Sequence, residues 1–206
     1  MRVFDNATIK EDFGKAASGY ERHAHLQRVV REHAIALAQR YWPQNDHLLD
    51  LGSGTGAFTH EAALLKQRWR ITGVDLAPGM CKRAAARGLV ANADAAQLPF
   101  ADRCFDGVFS SLMLQWCDTP LRVFSEMARV IRPGGTCVVS TLVSGTLHEL
   151  ADAFKALDDK PHVSAFMQAH DVLAQAQAAG LTLDLAKQAA HVEHHADTIA
   201  LMRSEE

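Results

Sequence analysis

The chain has four cysteines in 206 residues, Cys81, Cys104, Cys117 and Cys137, and no two of them form a C-x-x-C pair. That spacing offers neither a thiolate zinc site nor a redox dithiol and leaves four reduced thiols. No run of about 18 apolar residues is present, and no charged-then-apolar leader opens the chain; a soluble, cytoplasmic protein with no membrane partner is expected. A dominant charge is missing as well. Lys and Arg number 21 against 24 Asp and Glu, a net charge of −3, so no field draws nucleic acid to the surface. Eleven histidines are many, and His191, His194 and His195 cluster. With no cysteine or carboxylate set beside them, they read as a polar, half-exposed strand, and no metal site is expected. No repeat or low-complexity tract interrupts the chain.

What is present is an ordinary globular composition, 48% hydrophobic and 22% charged, in a length suited to one domain with a proper core. Helical spacing places Phe13, Ala16, Ala17 and Tyr20 on one stripe, and a second helix spans about His25 to Tyr41. After Pro43, short apolar runs at 47–51, 71–75, 88–92, 105–110 and 136–142 alternate with helical segments near 57–67, 79–87 and 119–130. Such alternation predicts an α/β fold with a doubly wound, mostly parallel sheet. The division expected within a single domain, 1–206, is N-terminal helices at 1–45, a core at 46–142, and a C-terminal part at 143–206. Helices near 146–158 and 169–179 are expected to cap the carboxyl ends of the strands, with a further strand near 181–195 and a helix from Asp197.

The most informative stretch is Leu48-Leu49-Asp50-Leu51-Gly52-Ser53-Gly54-Thr55-Gly56. An apolar strand meets an acid and then three glycines at alternate positions, a pattern that lets backbone approach a ligand closely at a helix N-terminus. The G-x-G-x-G spacing, rather than G-x-G-x-x-G, favours S-adenosylmethionine over a dinucleotide and argues against a nicotinamide oxidoreductase. Asp75 ends the second strand, where an acid accepts hydrogen bonds from ribose hydroxyls. Asp94 follows the third strand within Val90–Phe100; Phe105–Ser111 and Arg132-Pro133-Gly134-Gly135 complete the series.

In this order the four elements resemble class I S-adenosylmethionine-dependent methyltransferases, over about residues 46 to 142. The resemblance implies a Rossmann-like sheet with an N-terminal helical lid. It implies Gly52 and Gly54 under the methionine part of the cofactor, Asp75 at the ribose, Asp94 at the adenine amino group and a backbone N–H from Ala95. Asp50, Gly56, Leu76 and Ser110 complete the implied cofactor set. Outside the core, Phe13–Ala17 with Tyr20, His23–Gln27, Leu112–Cys117 and Thr141–His162 resemble the malonyl-acyl-carrier-protein O-methyltransferases of biotin synthesis. That implies methylation of the free carboxyl of a malonyl thioester, carried by acyl-carrier protein or coenzyme A. Members of that family continue some tens of residues beyond Glu206, so either a shortened version or a differently closed sheet is expected.

A carboxylate is ionised at pH 7 and attacks a sulfonium methyl without a base, so orientation and exclusion of water are what the residues must supply. Tyr20, Gln115 and Trp116 are the candidates beside the transferred methyl. Lys160, His162 and Arg203 are candidates for holding the substrate's charge. Arg68 and Arg70, or Arg83 and Arg87, are candidates for a basic patch facing an acidic carrier. Another small acid or a quinone precursor is the alternative acceptor, with His23, His25 or His162 as the base that a phenol or carbon needs. A cofactor-binding protein without turnover is the other alternative. Nothing in the sequence calls for an oligomer, and a monomer is expected.

Overall fold

A computed structural model describes residues 6–17, 19–42, 45–155 and 163–192. Five parallel strands, β1 (His47–Leu51), β2 (Arg70–Asp75), β3 (Leu89–Asn92), β4 (Phe105–Ser111) and β5 (Ile131–Ser140), lie in the order β3-β2-β1-β4-β5. The expected doubly wound sheet is present. β1 is central, paired with β2 on one side and β4 on the other. The strand order reverses there, and a crevice opens at the carboxyl ends of such a pair.

Burial on both faces explains why the strands read as continuous apolar runs. Leu48 and Leu49 are both fully buried, but they belong to opposite cores because neighbouring residues of a strand point to opposite faces. On the Leu48 face, α3 (His25–Ala38) and α4 (Ala57–Leu64) bring in Ile35, Ala38 and Phe58, and Phe58 stacks on Phe109 at 3.9 Å. Arg31 of α3 donates two hydrogen bonds to Glu61 of α4, at 2.5 and 2.9 Å, and ties these helices together. On the Leu49 face, α6 (Pro120–Val130) presents Val123, Phe124, Met127 and Val130 as one buried stripe.

Three short helices prepare the crevice. α1 (Asn6–Ala16) and α2 (Tyr20–His23) precede the core, and α1 packs on α5 (Pro78–Ala84). The seam is backbone on backbone: a Cβ placed on Gly79 would come within 2.6 Å of the Gly14 carbonyl oxygen and 2.9 Å of its Cα. Ala17, Ala77 and Met80 form a small buried cluster beneath it, against which Phe13 and Tyr20 pack.

The structure differs from the sequence expectations in three places. β5 begins at Ile131, because its pairing with β4 shifts between Phe105 and Gly107 and carries Arg132–Gly135 as an irregularity; Gly134 sits at φ +80° and Pro133 has no N–H to give. Residues 181–192 form no strand. They run back along α3 instead, where the Tyr41 hydroxyl donates to Asp184 at 2.5 Å and the His191 ring lies 5.9 Å from that of His25. The segment joins neither edge strand of the sheet, β3 or β5, and Leu183 and Leu185 stay exposed. The helix α8 (Ala169–Ala178) packs on α6, with Val172 and Ala176 against the Leu49-face core, so it extends that layer rather than capping the strands. α7 (His148–Lys155) buries no residue. The expected helix from Asp197, and His194 and His195, lie outside the described residues. Among the described residues no helix is long and apolar enough to cross a membrane, and no His, Cys, Asp and Glu group could hold a metal.

Gly107 of β4 has the Trp42 indole directly over its Cα, and that ring is itself fixed edge-on to Trp69. Gly107→Ala is expected to destabilise the fold by about 1–3 kcal/mol through overpacking, read as a lower urea midpoint with an unchanged denaturant slope.

Candidate active site

The loop leaving β1 is held from below. The N–H groups of Gly52 and Ser53 both donate to the Val74 carbonyl of β2, at 2.8 and 2.9 Å. Gly52 and Gly54 adopt φ of +77° and +54°, a region that L side chains rarely enter. A Cβ at Gly52 would also collide with Met113, whereas one at Gly54 would meet nothing within 4 Å. Gly54 therefore faces open space, and its bare backbone is the surface a ligand meets.

Asp75 locks this loop to the next element. Its Oδ2 accepts the Gly54 N–H and its Oδ1 accepts the Ala77 N–H, both at 2.8 Å. Burial pushes its carboxyl above the usual range, while those two backbone donors pull the other way. Asn92 donates to the carbonyls of Asp75 and Leu76 and fixes the end of β2. Asp94 accepts the Ala96 N–H at 2.8 Å and turns the chain after β3.

The resulting cleft holds about 930 Å³ of empty space, part of it open to solvent. Leu51, Gly52 and Gly54 from the β1 loop, Asp75, Leu76 and Met80 from the β2–α5 junction, and Asp94 and Ala95 after β3 line it. Ser111, Met113, Trp116 and Thr119 contribute from beyond β4, and Lys10, Phe13 and Tyr20 from α1 and α2. Phe13 stands edge-on to both Trp116, at 5.4 Å between centroids, and Tyr20, at 6.1 Å. The lid and the turn after β4 thus meet through one ring. α2 is anchored through Glu21, which accepts the Thr55 hydroxyl at 2.7 Å and a forked pair of bonds from Arg87 at 2.6 and 3.2 Å. Arg87 holds the Glu21 carboxyl down at about 2.

Of the residues named from sequence, Gly52, Gly54, Asp75, Leu76, Asp94, Ala95, Tyr20 and Trp116 come together around this cleft. Four do not line it. Asp50 is buried under the loop. Gly56, at the start of α4, packs on Ala84 of α5. Ser110 is fully buried and donates to the Leu51 carbonyl at 2.9 Å; strand alternation gives the lining position to Ser111. Gln115 has its amide engaged, donating to the Leu112 carbonyl and accepting from the Thr141 hydroxyl. Arg83 and Arg87 are turned inward to the Ala17 carbonyl and to Glu21. Lys160, His162 and Arg203 lie outside the described residues. Lys10, not expected from the sequence, also lines the cleft; it sits three residues before Phe13, one helical turn along the same face.

The cleft suits a ligand with a flat ring, a ribose and a polar tail. Gly54 offers an open cradle, Asp75 and Asp94 offer carboxylate acceptors for hydroxyl and amino groups, and Leu76, Met80 and Ala95 offer apolar contact.

A methyltransferase-domain family matches residues 49–139. The malonyl-[acyl-carrier protein] O-methyltransferase of Hahella chejuensis is 34% identical over 97% of this chain and 72% of its own length. The protein of that name from Serratia marcescens is 38% identical over 77% of this chain and 62% of its own. The chain thus spans 62% to 72% of the length of these relatives. The crystal structure of a SAM-dependent methyltransferase from Thermotoga maritima superposes with a TM-score of 0.62 at 24% identity, covering 82% of this chain and 79% of that one, a likeness of fold.

Asp50 carries a pH signature. Its Oδ2 finds no hydrogen-bond partner among the described residues, and burial, reinforced by the nearby Asp75, raises its carboxyl to about 7. The folded state therefore holds this proton to a higher pH than the unfolded chain, where the value is about 3.9. Its contribution to stability falls as pH rises from about 4 to about 7 and is constant above that. Asp50→Asn is expected to gain stability relative to the parent at pH 8 and to gain less at pH 5. Equal differences in urea midpoints at the two pH values would contradict this.

Proposed function

This chain belongs to the malonyl-[acyl-carrier protein] O-methyltransferase family of S-adenosylmethionine-dependent methyltransferases, and we propose that it esterifies the free carboxyl of a malonyl thioester. The carrier is acyl-carrier protein or coenzyme A, and the ester serves the pimeloyl chain of biotin. One observation supports a carboxylate acceptor in particular. Among the described residues that line the cleft there is no histidine, the most usual general base. A phenol or carbon acceptor needs a base to remove its proton; a carboxylate does not. The relatives' names point the same way.

In this reading the residues divide into two sets. Gly52 and Gly54 admit the methionine part of the cofactor, Asp75 and Leu76 hold its ribose, and Asp94 and Ala95 hold its adenine. When bound, the cofactor supplies an electrophilic methyl on a sulfonium. Phe13, Tyr20 and Trp116 then position the acceptor and exclude water. Burial keeps the Tyr20 phenol above its ordinary value, so it stays protonated and donates a hydrogen bond to the acceptor carboxyl. A neutral donor suits the reaction, because the carboxylate charge diminishes in the transition state and a tightly paired cation on the attacking oxygen would oppose that loss.

Incubation with methyl-labelled cofactor and malonyl-acyl-carrier protein, beside malonyl-coenzyme A and an aromatic acid, tests the assignment. Base-labile label on the malonyl carboxyl is the expected result; label only on the aromatic acid, or none with cofactor binding intact, would refute it. Tyr20→Phe is expected to lower kcat/KM by roughly ten- to a hundredfold, the value of one hydrogen bond to a charged group, while cofactor affinity by calorimetry stays the same.

A further inference from the structure

We infer that Lys10 selects the acceptor by charge, pairing with the carboxylate oxygen that does not attack and losing its hold once the ester has formed. This rests on the carboxyl-methylation reading above. Among the described residues lining the cleft, Lys10 is the one cation; the charged groups beside it are Asp75, Asp94 and Asp118. Those acids suit a positively charged cofactor, but they repel an anionic acceptor. A carboxylate entering this cleft needs a countercharge, and four other cations near the lid are committed elsewhere. Lys15 pairs with Glu11 at 2.6 Å, Arg83 donates to the Ala17 carbonyl, Arg87 is forked onto Glu21, and Arg31 onto Glu61. Lys10 makes no ion pair with any described residue.

Its place fits the task. Lys10 lies one turn from Phe13 on α1, and it borders both the cleft and the shallow surface groove beside Pro78 and Gly79. It therefore stands at the rim that a tethered acyl group crosses on its way to Tyr20 and Trp116. A lysine on a flexible stem suits this better than a fixed arginine fork, since it can follow one oxygen without clamping both.

The charge balance gives the pairing a direction. The attacking oxygen forms a bond to the methyl carbon, the carbon–sulfur bond breaks, and its electron pair stays on sulfur. The negative carboxylate and the positive sulfonium become a neutral ester and a neutral thioether, with no proton moved. Lys10 thus attracts the substrate and not the product, and turnover itself removes the reason for the acyl group to stay.

Lys10→Met and Lys10→Arg in the full chain test this. Lys10→Met is expected to raise KM for malonyl-coenzyme A about two- to fivefold, the scale of one partly screened ion pair, and to weaken the dependence of KM on salt. Lys10→Arg should restore most of the loss. Calorimetry on protein saturated with S-adenosylhomocysteine gives a readout apart from turnover. Malonyl-coenzyme A should bind about two- to fivefold more weakly to Lys10→Met, while its methyl ester, which keeps every phosphate, binds both proteins alike. Equal loss for acid and ester would assign Lys10 to the coenzyme phosphates. Loss of S-adenosylmethionine affinity would assign it to the cofactor's carboxylate. Unchanged binding of the acid would assign it no role, and each of these overturns the inference. If the parent protein moves no methyl to malonyl groups at all, the functional reading itself has failed.

Discussion

The carboxylate of Asp75 is the tie on which the cleft depends. It takes one N–H from the glycine loop after β1 and another from the start of α5, so two segments that share no covalent neighbourhood are set at a fixed separation. Release of that tie would leave a half-buried carboxylate and two backbone donors without their partners, and a donor that water cannot reach costs about 1–3 kcal/mol. The same carboxylate faces the cleft. The group that shapes the binding surface is thus also part of it, and no separate scaffold positions it.

A second set of contacts determines how the N-terminal helices sit on this platform. Glu21 connects α2 to Thr55 and Arg87, one at the glycine loop and the other just past α5. Phe13 bridges Tyr20 and Trp116, so the aromatic wall is assembled from residues more than 90 positions apart. The ion pair is partly exposed and contributes modestly to stability. Its geometric effect is larger: it orients the short helix that carries Tyr20, a helix too short to hold itself.

Much of the platform was legible in the sequence because its signals are local. Alternating apolar runs identify the parallel strands, and glycines at 52, 54 and 56 followed by acids at 75 and 94 identify the loop and its partners. Signals that depend on three-dimensional register were not legible. Whether Ser110 or Ser111 reaches the cleft turns on a single residue of strand phase. Leu181–Leu185 has a strand's composition but joins neither edge strand; Leu181 packs on the Leu49-face core and Asp184 accepts from Tyr41. Gln115 has the chemistry of a site residue, yet its amide is consumed by Leu112 and Thr141. Lys10 gives no sequence signal beyond its helical spacing from Phe13, since a lysine on an exposed helix is ordinarily a solvated residue.

The contact between α1 and α5 imposes an asymmetric limit on evolutionary drift. At Gly79 the opposing backbone occupies the volume of a methyl group, whereas a methyl on Gly14 would point into empty space. Position 14 can therefore gain an alanine without moving either helix, and position 79 cannot. Over a lineage, variation in this seam should accumulate on the α1 side, with the glycine of α5 retained for as long as α1 stays seated.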